Sequence, residues 1–197
     1  MKNPKFKNAE QKIYYLSSDE LRRFFAVIPK KDKQSRAMFL LIYRYGLRVA
    51  EAANLKIEDL QSDGRIYIRA VKNGFANHYR VSDEDRKALD EYLEAKKRKS
   101  DYIFSGRTGG RINTSTIFRI YRKFSRLAGL DKSKQHPHCL RHSIAVAMLD
   151  GGLHIEDVQD WLRHRNIKSS MVYARITSQR RDKSAEVIMK ENFDGEK

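Results

Sequence analysis

Hydrophobic positions along most of the chain recur at helical spacing. Residues 17–20 read Ser-Ser-Asp-Glu before apolar positions that share one helix face, which is typical of a capped amphipathic helix, and Pro29 closes it. Residues 37–43 are apolar on almost every side and predict a buried helix. Gly46 interrupts this pattern, and residues 48–55 predict a short further helix.

Two stretches alternate with a period of two instead. Residues 65–69 and, more weakly, 78–81 alternate in this way, and Asn73-Gly74 between them predicts a β-hairpin. The fold class predicted is therefore α+β, mostly α-helical with one small antiparallel β-sheet. The remaining pattern predicts helices at about 82–99, 114–128, 138–150, 155–164, 168–175 and 179–191, and a short strand or extended turn at 102–104.

Length and composition limit the class of protein. A chain of 197 residues with 40% hydrophobic residues can form one domain with a real core, with or without a short appendage. Its one cysteine, Cys139, cannot form an intrachain disulfide. The chain has no apolar run of about 18 residues and no signal-peptide pattern, so we expect a cytoplasmic protein with no membrane partner.

The charge balance favours a protein that binds nucleic acid. The chain carries 41 Lys and Arg against 25 Asp and Glu, a net charge of +16. Cations spread along a chain in this way bind DNA phosphates by displacing counterions. A solvated face kept for solubility, or attraction to an acidic membrane surface, would use the same charges.

Arg48 is the first candidate chemical group. It follows a buried helix and the break at Gly46, so its guanidinium must be solvated, paired or directed at an anion. Glu51 lies one helical turn on and can orient it. A plain ion pair on a helix surface explains the same spacing.

A second candidate segment reads His-Pro-His-Cys-Leu-Arg-His-Ser at residues 136–143. Its proline suits a helix start, which places His138 and Arg141 on one face. Metal binding by His138 and His142 is the rival interpretation, disfavoured by the adjacent arginine and the lack of a nearby acid. Three histidines are predicted to be structural and Trp161 to belong to the core; the histidines are His136, His142 and His154.

These motifs together resemble the tyrosine recombinase (phage integrase) family over roughly residues 17–190. The resemblance rests on four motifs in order: Gly46–Glu51, His138–Ser143, Leu162–His164 and Tyr173. His164 follows His138 by 26 residues, and Tyr173 follows His164 by nine, as this family's third box and nucleophile would require. The resemblance implies the family's catalytic-domain fold.

The resemblance implies a role for six residues. Arg48 and Arg141 would clamp the phosphate, His138 and His164 would be the histidines of the second and third boxes, and Tyr173 would be the nucleophile. Lys72, the one lysine between Lys56 and Lys87, would be the catalytic lysine of the hairpin. Two departures stand out: Arg163 replaces the usual glycine before the third-box histidine, and Ala50 stands where serine is common.

The activity that the resemblance implies is site-specific DNA recombination through a 3′-phosphotyrosine, with no metal, cofactor or ATP. The partners implied are double-stranded DNA, three further copies of the chain in a tetramer on paired sites, and accessory DNA-bending proteins. In its short length, the chain most resembles compact recombinases that invert fimbrial promoters. Alternatives on the same fold are a DNA-binding regulator and a stand-alone type IB-like topoisomerase. The division expected is an N-terminal extension at 1–16, the catalytic domain at 17–178, and a C-terminal helix or tail at 179–197 that contacts a neighbouring protomer.

Overall fold

The computed structural model describes residues 13–71, 74–96 and 99–178. These residues form a mostly helical α+β fold with one two-stranded antiparallel sheet, which confirms the predicted class. In chain order the elements are α1 (Ser18–Ala26), α2 (Lys33–Arg44), α3 (Val49–Asn54), β1 (Arg65–Ile68), β2 (Asn77–Arg80), α4 (Asp83–Ala95), α5 (Thr114–Leu127), α6 (His138–Asp150), α7 (Ile155–Trp161) and α8 (168–178).

Side-chain caps begin the helices where the sequence predicts them. The Ser17 hydroxyl accepts the Glu20 backbone N–H at 3.2 Å, and the Glu20 carboxylate accepts the Ser17 N–H at 2.8 Å. This reciprocal pair satisfies two donors that a helix start leaves without partners. The Ser82 hydroxyl caps α4 by accepting the Asp85 backbone N–H at 3.2 Å, while the Ser82 N–H donates to the Tyr45 hydroxyl. Helix α4 ends at Ala95, short of the predicted Lys99.

The core is built around α2, which packs against α4 and α6. Residues 37–43 supply buried side chains as the apolar run predicts, and Phe39 is wholly enclosed. Phe39 meets Phe24 of α1 and Tyr121 of α5 with ring centroids 5.5 and 5.6 Å apart. The buried side chains of α2 fix its C-terminal end, and the segment that carries Arg48 follows directly.

The predicted hairpin is confirmed, with Arg65 paired to Arg80 and Ile68 to Asn77. Ile66 and Ile68 direct their side chains into the core. Residues 102–104 form an extended turn joined to the preceding chain by an isolated bridge, the second of the two predicted forms.

The last described segment departs from the pattern. Helix α7 ends at Trp161, three residues before the predicted end at His164, because Arg163 takes the left-handed conformation with φ 55°. Helix α8 then packs through Tyr173 on Ala145, Val146, Val158 and Leu162, a small second cluster. The predicted helix at 179–191 lies outside the described residues, and the three-part division of the chain stays a prediction.

Within the described ranges, every helix is too short or too polar to cross a membrane.

Candidate active site

Arg48 and Glu51 form the first part of the site. Arg48 precedes α3, and its Nη1 donates to Glu51 Oε1 at 2.7 Å while its backbone N–H donates to Oε2 at 2.8 Å. The Glu51 side chain is 1% exposed and the Arg48 side chain 28%. Glu51 therefore orients Arg48 as the spacing predicts, and the guanidinium keeps access to solvent.

Arg141 of α6 reaches the same carboxylate from the other side. Its Nη1 lies 3.7 Å from Glu51 Oε2 and donates to the Gly46 carbonyl, and its Nη2 donates to the Leu162 carbonyl at 2.6 Å. Burial and the charge of Arg48 lower the pKa of Arg141 to about 9, which still leaves it charged at neutral pH. Backbone carbonyls on both sides thus fix this arginine in place.

Arg163 completes a cluster of three arginines around one carboxylate. It is wholly buried, and its Nη2 donates to Glu51 Oε2 at 2.8 Å and to the Gly46 carbonyl at 3.0 Å. Burial by itself raises the pKa of Glu51, but the neighbouring arginines, Arg163 foremost, hold it below its usual range. One ionised carboxylate facing three guanidiniums leaves two positive charges here, an excess suited to an anion.

The predicted nucleophile lies beside this cluster. Tyr173 of α8 is 2% exposed, and its hydroxyl oxygen lies 2.8 Å from Nδ1 of His142. Burial raises the pKa of Tyr173 to about 12, while Arg141 and Arg48 act in the opposite direction. The contact with His142, the residue after Arg141 on α6, joins α8 to the helix that carries Arg141.

The two predicted site histidines differ in their surroundings. His164 is buried, with Nδ1 2.9 Å from the Ser170 hydroxyl, and burial together with the three arginines lowers its pKa to about 3. His138 is exposed at the start of α6, where desolvation of its ring and then His136, Arg141 and Arg48 lower its pKa. Both rings are therefore neutral at pH 7.

Lys72 lies outside the described residues, but the chain just after it does not. Gly74 forms a bridge with His164. A Cβ added at Gly74 would lie 3.2 Å from Arg48 Nη1 and 3.2 Å from the Arg163 carbonyl oxygen. The hairpin loop therefore reaches the arginine cluster two residues after Lys72.

Trp161 supports the site from within the fold. Its indole N–H donates to the Arg44 carbonyl at 2.9 Å, and its ring stacks on Tyr45. This confirms the predicted core role. Across the described residues, no three His, Cys, Asp or Glu side chains are arranged to hold a metal ion.

The structure brings five of the six predicted residues to one site and adds two that the sequence did not assign. Arg163 was noted only as a departure from the family pattern, and His142 was predicted to be structural. Nothing local marks His142, since its partner comes from a helix that begins 26 residues later. The structural prediction for His142 is incomplete, because its Nδ1 contacts the candidate nucleophile.

The family that the chain matches gives the class to which this fold and site belong. Residues 14–180 match the phage integrase family, and the chain is a member of that family.

The relatives are named tyrosine recombinases or fimbrial regulators. Tyrosine recombinase XerA of Pyrococcus furiosus is 32% identical over 182 residues, covering 90% of this chain and 62% of the relative. Type 1 fimbriae regulatory protein FimE of Escherichia coli K12 is 32% identical over 167 residues, covering 81% of this chain and 84% of the relative. This chain thus spans less than two thirds of the XerA sequence but most of FimE.

Solved structures share the fold. The crystal structure of XerA recombinase superposes with a TM-score of 0.74 at 32% identity, covering 83% of this chain and 59% of XerA. XerH site-specific recombinase, in a post-cleavage complex with a palindromic difH substrate, gives 0.75 at 25% identity, covering 89% of this chain and 53% of XerH. The fold is that of a tyrosine recombinase catalytic domain.

Proposed function

We propose that this protein is a site-specific DNA recombinase that cuts and rejoins DNA through a 3′-phosphotyrosine at Tyr173. The observation that carries the proposal is the buried phenol beside two arginines, Arg48 and Arg141, within a cluster of excess positive charge. Family membership and the relatives named XerA and FimE support the same reaction class.

The arginines act on the scissile phosphate. In the transition state its two non-bridging oxygens carry increased negative charge, and a guanidinium offers permanently charged, fork-shaped donors that match them. Arg141 is already held by two carbonyls and Arg48 by Glu51, so neither has to be reoriented during the reaction. Fixed cations supply the charge stabilisation that a metal would otherwise provide.

Tyr173 attacks phosphorus and displaces the 5′ oxygen. The covalent ester retains the bond energy, so religation needs no ATP. Lys72 gives its proton to the departing oxygen, and the position of Gly74 against Arg48 supports this assignment. His138 and His164 hold the phosphate oxygens by hydrogen bonds.

The partner is double-stranded DNA, engaged through the basic face of α5. Arg119, Arg122, Lys123 and Arg126 line a groove of about 1060 Å³, together with Phe118. The Phe118 ring lies 6.1 Å from the His138 ring, so the groove leads to the candidate site. The proposed assembly has four copies of the chain on two paired DNA sites, with accessory DNA-bending proteins. The proposed location is the cytoplasm, where the DNA substrate lies.

Tyr173→Phe tests the proposal, because it keeps the ring and removes the attacking oxygen. On a labelled suicide substrate we expect normal DNA binding and no covalent adduct in a denaturing gel. Tyr43→Phe, a half-buried tyrosine of α2, is the matched control and should form the adduct. An adduct in Tyr173→Phe would mean that another residue is the nucleophile. A wild-type chain that binds DNA and never forms an adduct would instead support a DNA-binding regulator.

Further experiments distinguish the roles of Lys72 and the two arginines, and distinguish a recombinase from a topoisomerase. A 5′-bridging sulfur leaves without protonation, so it should rescue Lys72→Ala but neither Arg48→Ala nor Arg141→Ala; equal rescue of all three would refute the division. Cleavage should survive EDTA, and inhibition by EDTA would revive the metal interpretation. Strand exchange between two sites, rather than relaxation of supercoils alone, separates a recombinase from a topoisomerase.

A further inference from the structure

The hydroxyl of the proposed nucleophile contacts a side chain to which the family motifs assign no role. Tyr173 Oη lies 2.8 Å from His142 Nδ1, and the two ring centroids are 5.7 Å apart. Tyr173 is 2% exposed, whereas His142 is half-buried and keeps partial access to solvent. This contact joins α6, directly after Arg141, to α8.

A proton acceptor is needed at this oxygen. A phenol whose pKa burial has raised to about 12 is protonated at pH 7, and the opposing effect of the arginines does not offset the burial. The proton must leave as the oxygen attacks phosphorus, and a side chain within hydrogen-bond reach can take it.

We propose that His142 is a catalytic residue of the cleavage step, whose Nδ1 accepts the Tyr173 proton as the bond to phosphorus forms. This inference rests on the proposed recombinase function. The bond from Tyr173 Oη to phosphorus forms while the bond to the 5′ oxygen breaks, and that oxygen keeps the electron pair and takes a proton from Lys72. On religation the His142 imidazolium returns its proton to the phenol, and the residues regain their starting state.

The electrostatics of the pair fit an acceptor. The titratable and charged groups that act on His142 are Tyr173 from α8, His138 and Arg141 from α6, and His136 just before α6. Burial and then the three basic groups lower the pKa of His142 to about 4, so the ring is neutral at pH 7 and Nδ1 can present its lone pair. A bound phosphate offsets the arginine charge, which raises that pKa and strengthens the base when substrate is present.

His142→Asn separates proton acceptance from positioning. The Asn side chain places an amide oxygen near the position of Nδ1, where it can accept the phenol hydrogen bond but cannot take up the proton. In single-turnover adduct formation at pH 7 we expect a loss of about 10²–10⁴-fold. The rate should then rise about tenfold per pH unit, because hydroxide must remove the proton, whereas the wild-type rate is flat near neutrality.

The matched control is His154→Asn, which makes the same change at an exposed residue that precedes α7, a position that favours Asn. It should keep the wild-type rate and pH profile. A His142→Asn protein with a flat profile and a rate within threefold of wild type would overturn the proposal.

Two measurements keep the proposal testable if that variant is damaged. His142→Ala with added imidazole should regain adduct formation in proportion to the concentration of neutral imidazole; a variant that binds DNA but gains nothing from imidazole contradicts the proposal. A 5′-bridging sulfur should not rescue His142→Ala, and rescue would move His142 to the leaving-group side. If the wild-type protein forms no adduct at Tyr173, the proposed function itself is wrong. If the wild-type protein forms the adduct and substitutions at His142 do not change its rate, only the proposal for His142 is wrong.

Discussion

Arg163 holds a charged side chain inside the protein in a backbone conformation that arginine seldom adopts. Its φ of 55° costs a residue with a Cβ about 1–2 kcal/mol relative to glycine. The guanidinium recovers this through an ion pair with Glu51 and hydrogen bonds to the Tyr79 hydroxyl and the Tyr45 carbonyl. One side chain therefore connects the turn before α3, the hairpin and the third box.

Arg163→Gly is expected to destabilise the fold even though glycine suits this backbone. Breaking a buried ion pair costs about 3–5 kcal/mol, and relief of the backbone returns only about 1–2 kcal/mol. We expect the free energy of unfolding in denaturant to fall by about 1–4 kcal/mol. Arg165→Gly, at an exposed neighbour, should change it by about 1 kcal/mol or less. A variant as stable as wild type would show that the strain outweighs the contacts.

The lowered pKa values of His142 and His164 predict that the folded protein is destabilised by acid well above the pH range in which carboxylates titrate. Burial and neighbouring cations lower the pKa of His142 to about 4 and of His164 to about 3, whereas an unfolded histidine titrates near 6.5. Between these values the unfolded chain binds more protons than the folded one. Stability is therefore full above about pH 6.5 and is lost as pH falls toward 4.

Denaturant unfolding at pH 7, 6 and 5 measures this loss. With two such groups the slope approaches about 2.7 kcal/mol per pH unit, the limit for two protons. His164→Asn should reduce the slope by about one proton, while exposed His154→Asn should leave it unchanged. If the free energy of unfolding does not change from pH 7 to 5, these rings take up protons in the folded protein over the same pH range as in the unfolded chain.

At the scale of the elements, the hairpin brings Gly74 to the candidate site. Gly74 lies two residues after Lys72 and bridges to His164, and a Cβ there would press on Arg48 Nη1 and the Arg163 carbonyl at 3.2 Å. One neighbour must then shift by a few tenths of an ångström, and an active site is sensitive to shifts of that order.

Gly74→Ala should reduce adduct formation by about tenfold or more while DNA binding stays near the wild-type level. Gly110→Ala, where an added Cβ meets nothing within 4 Å, is the matched control and should keep full activity. Equal rates for the two variants would mean that the hairpin loop does not approach the reacting phosphate closely.

Elements with local signals could be predicted from sequence. The Ser17–Glu20 capping box and the alternating strands need only neighbours within a few residues, and both form as expected. The end of α7 could not be predicted from the sequence, because it depends on the contact between the Arg163 guanidinium and the Glu51 carboxylate of α3. The extended turn at 102–104 likewise depends on a bridge to Lys56.

The candidate site divides in the same way. Arg48, Arg141 and Tyr173 could be named from the sequence because they lie in the motifs that carry the resemblance to the tyrosine recombinase family. His142 carries no such signal, because a histidine after an arginine at a helix start is equally consistent with a structural residue. Its contact with Tyr173 exists only once α8 folds back onto α6.

At the scale of the whole molecule, the charge of +16 predicts DNA binding that weakens steeply with salt. Arg119, Arg122 and Lys123 are exposed on the groove of α5. Changing each to Ala should lower the slope of log affinity against log salt by about 0.9. Arg86→Ala, on α4 and already paired to Asp90 at 3.0 Å, should leave the slope unchanged. Unchanged slopes for all α5 variants would place DNA on another face.

The C-terminal segment offers a test of assembly. Residues 179–197 lie outside the described structure, and their sequence places Ala185, Val187, Ile188, Met189 and Phe193 among charges. The described residues form a core and a second, smaller cluster around Tyr173. A segment so composed can pack on a neighbouring protomer, and head-to-tail contacts of that kind close into a ring when the rotation per subunit fits.

We expect that ending the chain after Gln179 leaves a folded protein that still binds a single DNA site, because every described residue of the core and of the groove remains. It should fail to form the paired-site complex and to recombine, because the contact between protomers is lost. Thermal unfolding and gel shifts with one-site and two-site DNA separate these effects. An insoluble or thermally weakened truncated monomer would place the segment in its own core. A truncated protein that still pairs sites and recombines would remove the segment from assembly altogether.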